Sequence, residues 1–289
     1  MAEPTASPPD PGFGERLIEA VAAHGPLCAG IDPMPALLER WGLPDDPSGL
    51  AAFCSGTLEA FVGTVGVIKP QVAFFERHGS AGFAVLEELV AEARRSGLLV
   101  IGDAKRADIG STAQGYADAW LGDGPLGVDA VTAVAYLGLG ALEPLAEAAR
   151  AHGRGLIVVV RSSNPEGRGL QESVDRQGLS VEDALMAELA RANAAERAAG
   201  RRLGSLGAVV GVTQGPWRLP LGEFGGPILA PGVGAQGATP ADVGAVFGDC
   251  AAGSVVVNAS RSLLEAGPRP PALRAAAEAL REELAAALA

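Results

Sequence analysis

The sequence predicts a single-domain α/β fold, a (β/α)8 barrel, and three observations lead there. Eight short apolar, β-branched runs recur along the chain. Ala/Leu/Glu/Arg-rich stretches of helical spacing separate them, and no internal linker divides the 289 residues. Near-continuous Val/Ile/Leu runs suit parallel strands buried on both faces, with amphipathic helices packed over them. Eight such units fit a closed barrel, with a doubly wound open sheet as the competing arrangement.

In chain order the strand candidates begin with "LCAGID" (27–32) and "VGVIKP" (65–70). The helical stretch "AGFAVLEELVAEARRSG" leads into the third, "LLVIGD" (98–103), and "VDAVTAV" (128–134) and "GLIVVV" (155–160) follow. After the fifth run, "RSSNPEGRGLQESVDRQGLS" is polar, Gly-rich and longer than the usual connection of about 2 to 6 residues. That is the profile of a lid over 164–179, with a disordered insertion as the plain alternative. The helical "SVEDALMAELARANAAERAAG" then precedes "GAVVGVT" (207–213), "GPILAPG" (226–232) and "SVVVNAS" (254–260). A flexible, Pro-rich segment is expected over residues 1–12 and the barrel over 13–289.

Composition narrows the function classes. Hydrophobic residues make up 48% of the chain, enough for a sizeable core, and the formal net charge of -12 offers no basic footprint for nucleic acid or an anionic membrane. A small anion could still bind locally. Cys28, Cys54 and Cys250 are scattered without CxxC spacing, which points to a reducing, cytoplasmic setting rather than a disulfide framework or a zinc site. The start "MAEPTASPPDPG" lacks the features of a secretory leader, and no apolar run approaches the roughly 18 to 20 residues that span a bilayer.

In a barrel of this kind the reactive face lies where strands end. Those ends carry Asp32, Lys69, Asp103, Lys105, Arg161 to Asn164, the glycine-rich 232–237 stretch, and Ser260 with Arg261. Of 22 basic residues only Lys69 and Lys105 are lysine, and an ammonium can surrender a proton where a guanidinium cannot. Asp103 and Lys105, two apart on a strand, share a face, with Ala104 pointing the other way. Asp108 lies past the strand end and must return through the loop or serve a neighbouring subunit. Three such charges could form a surface ion network, but the apolar strand before them and the scarcity of lysine favour a site. At 4 Å and an effective dielectric near 20, each favourable charge pair is worth about 4 kcal/mol before desolvation. Carboxylate neighbours therefore suit Lys105 as a cation or acid rather than a resting amine nucleophile; Lys69 leaves the Schiff-base option open.

"LAPGVGAQG" and "NASRS" follow the seventh and eighth strands, where many such barrels hold phosphate on backbone N–H groups. Gln236 adds an amide donor and Arg261 a bidentate fork. No HExxH, paired CxxC or GxxxxGK[ST] motif occurs, so no metal-ligand or nucleotide-loop motif is read from the chain. His24, His78 and His152 receive no catalytic role, Cys28 reads as a small buried hydrophobe, and the tryptophans read as packing.

The stretches "AGIDP", "VIKPQVAFFERHGSAGFAVLEE", "DAKRADIGSTA", "SSNPEG", "PGVGAQG" and "ASRSLL" run in order from the first strand to the eighth. With them the chain resembles the orotidine 5'-phosphate decarboxylase family, in its longer, mycobacterial-type (type 2) branch. The resemblance implies a (β/α)8 barrel that forms a homodimer with its active sites at the subunit interface, and a cofactor-free carboxy-lyase of pyrimidine biosynthesis. By position, Lys69, Asp103, Lys105 and Asp108 match the family's catalytic array, with Asp108, Ile109 and Thr112 contributed to the partner's site. Asp32 matches the residue holding the ribose hydroxyls. Ser163 matches the one hydrogen-bonded to the pyrimidine, with Ser162 as its neighbouring alternative. Gln236 and Arg261 match the phosphate ligands, and Pro231 belongs to the substrate-binding set. Ala107 stands where this branch has glycine, and Ser260 where other branches have glycine.

The implied reaction converts orotidine 5'-monophosphate to uridine 5'-monophosphate. Departure of carbon dioxide leaves a carbanion at ring carbon 6, stabilised by fixed charge and protonated by Lys105. Asp103 would face the substrate carboxylate, a like-charge contact of about 4 kcal/mol on the same scale, with phosphate binding and lid closure offsetting it. Two other readings remain at this level: a metal-dependent sugar-phosphate decarboxylase or synthase of the wider superfamily, and a silent barrel that only binds a phosphorylated ligand.

Overall fold

Eight parallel strands close on themselves in sequence order in the computed structural model, which describes residues 11–214 and 221–289. They are β1 Leu27–Ile31, β2 Val67–Pro70, β3 Leu99–Arg106, β4 Ala130–Val134, β5 Gly155–Arg161, β6 Leu206–Val210, β7 Ile228–Pro231 and β8 Val255–Ala259. Each pairs with its successor, and β8 returns to β1 through Leu27↔Val257, Cys28↔Asn258 and Ala29↔Ala259. That last pairing eliminates the open sheet. Most of the segment expected to be flexible (residues 1–10), and Trp217, lie outside the described residues.

The two faces of each strand build two cores. Cys28, Val67, Leu99, Ile101, Ala130, Ile157, Val209, Leu229 and Val256 point inward and pack together inside the barrel. Their neighbours Ala29, Ile68, Val100, Val131, Val158, Ala208, Ala230 and Val257 face outward, where they meet Phe53, Phe61, Leu86 and Leu189 of the surrounding helices. Strands covered on both sides explain the unbroken apolar runs.

The first helix, Phe13–His24, closes the end of the barrel where the strands begin. Phe13 and Leu17 are fully buried and join the inner cluster. Arg16 pairs with Asp129 just ahead of β4 and donates to the Gly153 carbonyl at 2.9 Å ahead of β5. Truncating Phe13 to alanine should therefore cost about 3 to 5 kcal/mol. The loss is expected as a lower urea midpoint with an unchanged m-value, whereas an unmoved midpoint would mean that Phe13 does not seal the barrel.

At the opposite end the inward rows turn polar. Two positions beyond the inner cluster they read Lys69 on β2, Asp103 on β3, Thr132 on β4 and Asn258 on β8. The expected lid is folded rather than structureless: a 3-10 turn over Pro165–Gly167, a short helix over Arg168–Gln171, and an antiparallel bridge between Val174 and Ser180. Among the described residues no helix is long and apolar enough to cross a membrane.

Candidate active site

Asp103 is the hub of the polar end. Its side chain is buried and accepts four hydrogen bonds, from Lys69 Nζ at 2.8 Å, Gln71 Nε2 at 3.0 Å, Lys105 Nζ at 2.6 Å and Thr132 Oγ1 at 2.9 Å. Burial alone would push the carboxyl up. The ammoniums of Lys69 and Lys105 outweigh it and hold the group far below the usual carboxylate range. Lys69 shows the mirror case: burial disfavours its charge, but Asp103 and then Asp32 raise it above the ordinary lysine value. Cys28, one layer below, is pushed up to about 12 by burial and stays a thiol.

The two lysines differ in access. The Lys69 side chain is 5% exposed and that of Lys105 is 48% exposed, so Lys105 alone of the pair presents its ammonium to the barrel mouth. Plain strand alternation is not what brings Lys105 to Asp103. The β3–β4 register slips between Gly102 and Arg106, and Lys105 takes a left-handed backbone with φ of 47°. Such a conformation costs a non-glycine residue about 1 to 2 kcal/mol, and neighbouring structure must hold it. Ala104 does face away, packing against the outer core.

Asp32 sits beside this cluster at the end of β1. Ser260 donates to its Oδ2 at 2.6 Å, while its Oδ1 is buried without a hydrogen-bond partner. Ser260 thus orients Asp32. It needs Gly30 opposite, where any Cβ would lie 2.6 Å from Ser260 Cβ.

The loops after β7 and β8 meet on the adjoining rim: a Cβ at Gly234 would lie 2.8 Å from the Ser262 side chain. Gly232, Gly234 and Gly237 all have positive φ, folding the stretch into a tight loop closed by Gly234 N–H to Ala238 O at 2.9 Å. Gln236 and Arg261 are exposed on this rim, and Pro231 ends β7 opposite Asn258. Across the mouth, Ser162 is engaged by the 164–179 segment: its Oγ accepts from Gln171 Nε2 at 2.9 Å, and its N–H donates to Gln171 Oε1 at 3.2 Å. Arg161, buried at the end of β5, pairs with Glu172 of that segment and Glu182 of the next helix, both at 2.8 Å.

Lys69, Asp103, Lys105 and Asp32 therefore come together, with Ser163, Pro231, Gln236 and Arg261 at neighbouring strand ends. Asp108, Ile109 and Thr112 do not join them within this chain. Asp108 accepts from the Ile109 N–H at 2.8 Å, and no hydrogen bond or ion pair links it to the lysines among the described residues. Sequence reasoning missed Gln71 and Thr132. Counting in twos from Lys69, or from Ala130 within "VDAVTAV", places both on the inward rows. No group of three or more His, Cys, Asp or Glu side chains is arranged to hold a metal among the described residues.

Known proteins resemble this chain along nearly its whole length. The chain is 50% identical to an orotidine 5'-phosphate decarboxylase of Streptomyces coelicolor over 273 residues, 94% of this chain and 96% of that one. It is 49% identical to one of Corynebacterium efficiens over 267 residues, 91% and 94% of the two chains. A solved chain from Streptomyces avermitilis superposes with a TM-score of 0.90 at 49% identity, covering 99% of both. The OMP decarboxylase of Leishmania donovani superposes with a TM-score of 0.73 at 26% identity, covering 96% of this chain and 99% of that one. The model of the orotidine 5'-phosphate decarboxylase / HUMPS family matches residues 25–276, and with these relatives it shows that the chain belongs to that family.

Proposed function

We propose that the barrel mouth decarboxylates orotidine 5'-monophosphate to uridine 5'-monophosphate and carbon dioxide, a step of pyrimidine biosynthesis, without a cofactor. The observation that carries this reading is the buried Asp103 carboxylate gripped by two ammoniums, of which only Lys105 reaches the open mouth. When the carbon–carbon bond breaks, carbon dioxide leaves without the bonding electron pair, which stays on ring carbon 6. A fixed ammonium stabilises that pair and then donates a proton to it, leaving a neutral amine that solvent recharges. Lys69 keeps Asp103 ionised, and Asp103 in turn orients Lys105 and faces the substrate carboxylate.

Asp32 is assigned to the ribose hydroxyls, which its unpartnered Oδ1 could accept. Ser163 is assigned to the pyrimidine from its place before Asn164 and Pro165, with Ser162, whose Oγ accepts from Gln171, as the neighbouring alternative. Gln236 and Arg261 take the phosphate end, Pro231 belongs to the substrate-binding set, and the 164–179 lid closes over the nucleotide to exclude water. Asp108, Ile109 and Thr112 complete the site of a second copy of the chain. An apolar rim supports that pairing: Ile109 is 61% exposed, Tyr136 76% and Leu137 53%. The homodimer works in the cytoplasm.

The family model also spans sugar-phosphate enzymes, but curated relatives near half identity are decarboxylases of the nucleotide. Purified protein offered orotidine 5'-monophosphate in chelator should release carbon dioxide, and offered a sugar phosphate with divalent metal should not; the reverse pattern would overturn the assignment.

The charge cluster also fixes a pH dependence. Asp103 is depressed in the folded state, so its stabilisation is present above the unfolded value of about 3.9 and lost as pH falls through its lower folded value. Lys69 is raised, so its stabilisation is present below about 10.4 and lost as pH rises through its higher folded value. Neither group changes charge between about pH 5 and about pH 9. A kcat profile should therefore show no limb there that Asp103→Asn or Lys69→Gln removes; finding such a limb would contradict the ionised cluster.

A further inference from the structure

Lys105 is the only non-glycine residue with positive φ among the described residues, and one hydroxyl holds both ends of its unusual geometry. The β3–β4 ladder is in register at Gly102↔Val131 and resumes at Arg106↔Ala133, so β3 carries two more residues than β4 across the gap. Thr132 is the single β4 residue inside that gap. Its Oγ1 accepts the Lys105 backbone N–H at 3.0 Å and donates to Asp103 Oδ1 at 2.9 Å, the oxygen that also receives Lys105 Nζ. Thr132 is 1% exposed, and its β-branched side chain has little rotamer freedom.

We infer that Thr132 is a positioning residue for proton delivery, pinning the left-handed backbone of Lys105 and the carboxylate that aims its ammonium. The inference rests on the reading above, in which Lys105 is the proton donor. An ordinary side chain at 132 would leave the Lys105 N–H without this acceptor. The hydrogen bond that pins φ positive would then be lost, and relaxation of the bulge would carry the ammonium off its line to Asp103. Because Thr132 lies beneath the charges and away from the ribose and phosphate ends, it acts on the chemical step and not on capture of the nucleotide.

Thr132→Val preserves shape and removes both hydrogen bonds, while Thr132→Ser preserves both and removes a methyl group. Thr132→Val should lower kcat about 10- to 100-fold with KM and uridine 5'-monophosphate affinity within about threefold, and Thr132→Ser should restore most of kcat. Rates are taken per binding-competent site, counted by titration with uridine 5'-monophosphate, so partial unfolding cannot mimic the effect. An unchanged kcat in Thr132→Val, or an equal loss in Thr132→Ser, would overturn the inference, the latter by assigning the role to packing. A crystal structure of Thr132→Val supplies a measurement independent of turnover: Lys105 should leave positive φ, and its retention there would refute the pinning. If the wild-type protein fails to turn over the nucleotide, the functional reading falls, while the φ measurement still decides the backbone role.

Discussion

Lys105→Ala is expected to lower kcat for orotidine 5'-monophosphate by several orders of magnitude while leaving the protein folded. Two losses combine. An ammonium about 4 Å from a developing carbanion, at an effective dielectric near 20, is worth about 4 kcal/mol, or about a thousandfold in rate. A positioned proton donor contributes about a further 100- to 10,000-fold. The structural cost is small because the Lys105 side chain is 48% exposed and Asp103 keeps Lys69, Gln71 and Thr132 as donors. Absorbance kinetics give the first quantity and calorimetric melting the second. A kcat within about tenfold of wild type would remove Lys105 from the reaction.

The second large effect concerns the shared site. Asp108 lies past the end of β3 with no link to Lys105 in its own chain, so Asp108→Ala should be nearly inactive only if it serves a partner. Each dimer would then hold two sites, each pairing Lys105 of one subunit with Asp108 of the other. Mixing inactive Lys105→Ala and Asp108→Ala subunits, with exchange, should restore about one quarter of wild-type activity, because half the dimers are mixed and each carries one intact site. No recovery on mixing, or full activity of Asp108→Ala alone, would contradict the arrangement. Asp108 carries less structural duty than Asp103, so its loss should leave the melting temperature nearly unmoved.

How legible the molecule was in its sequence depends on how local each feature is. The eight strands were readable because burial on both faces leaves runs such as "GLIVVV" that no amphipathic helix shows. Closure was inferred from the count of eight units and not from any local signal: the pairing of β1 with β8 separates a barrel from an open sheet, and that contact joins opposite ends of the chain. The convergence of Asp103 and Lys105 was foreseen from their spacing, but the geometry rests on a bulge and a left-handed lysine that alternation does not contain. Gln71 and Thr132 went unnoticed because neutral residues inside apolar runs carry no charge signal, although their inward register was available. The role of Ser260 became plain only when Asp32 was found against it.

In the proposed function this charge cluster decarboxylates the nucleotide without help from a metal or cofactor. The most direct test is the loss of orotidine 5'-monophosphate absorbance, followed with purified wild-type protein in excess chelator. Sustained turnover is expected, with one uridine 5'-monophosphate formed for each substrate lost. No turnover at micromolar protein, or turnover only when a divalent metal is restored, would contradict it.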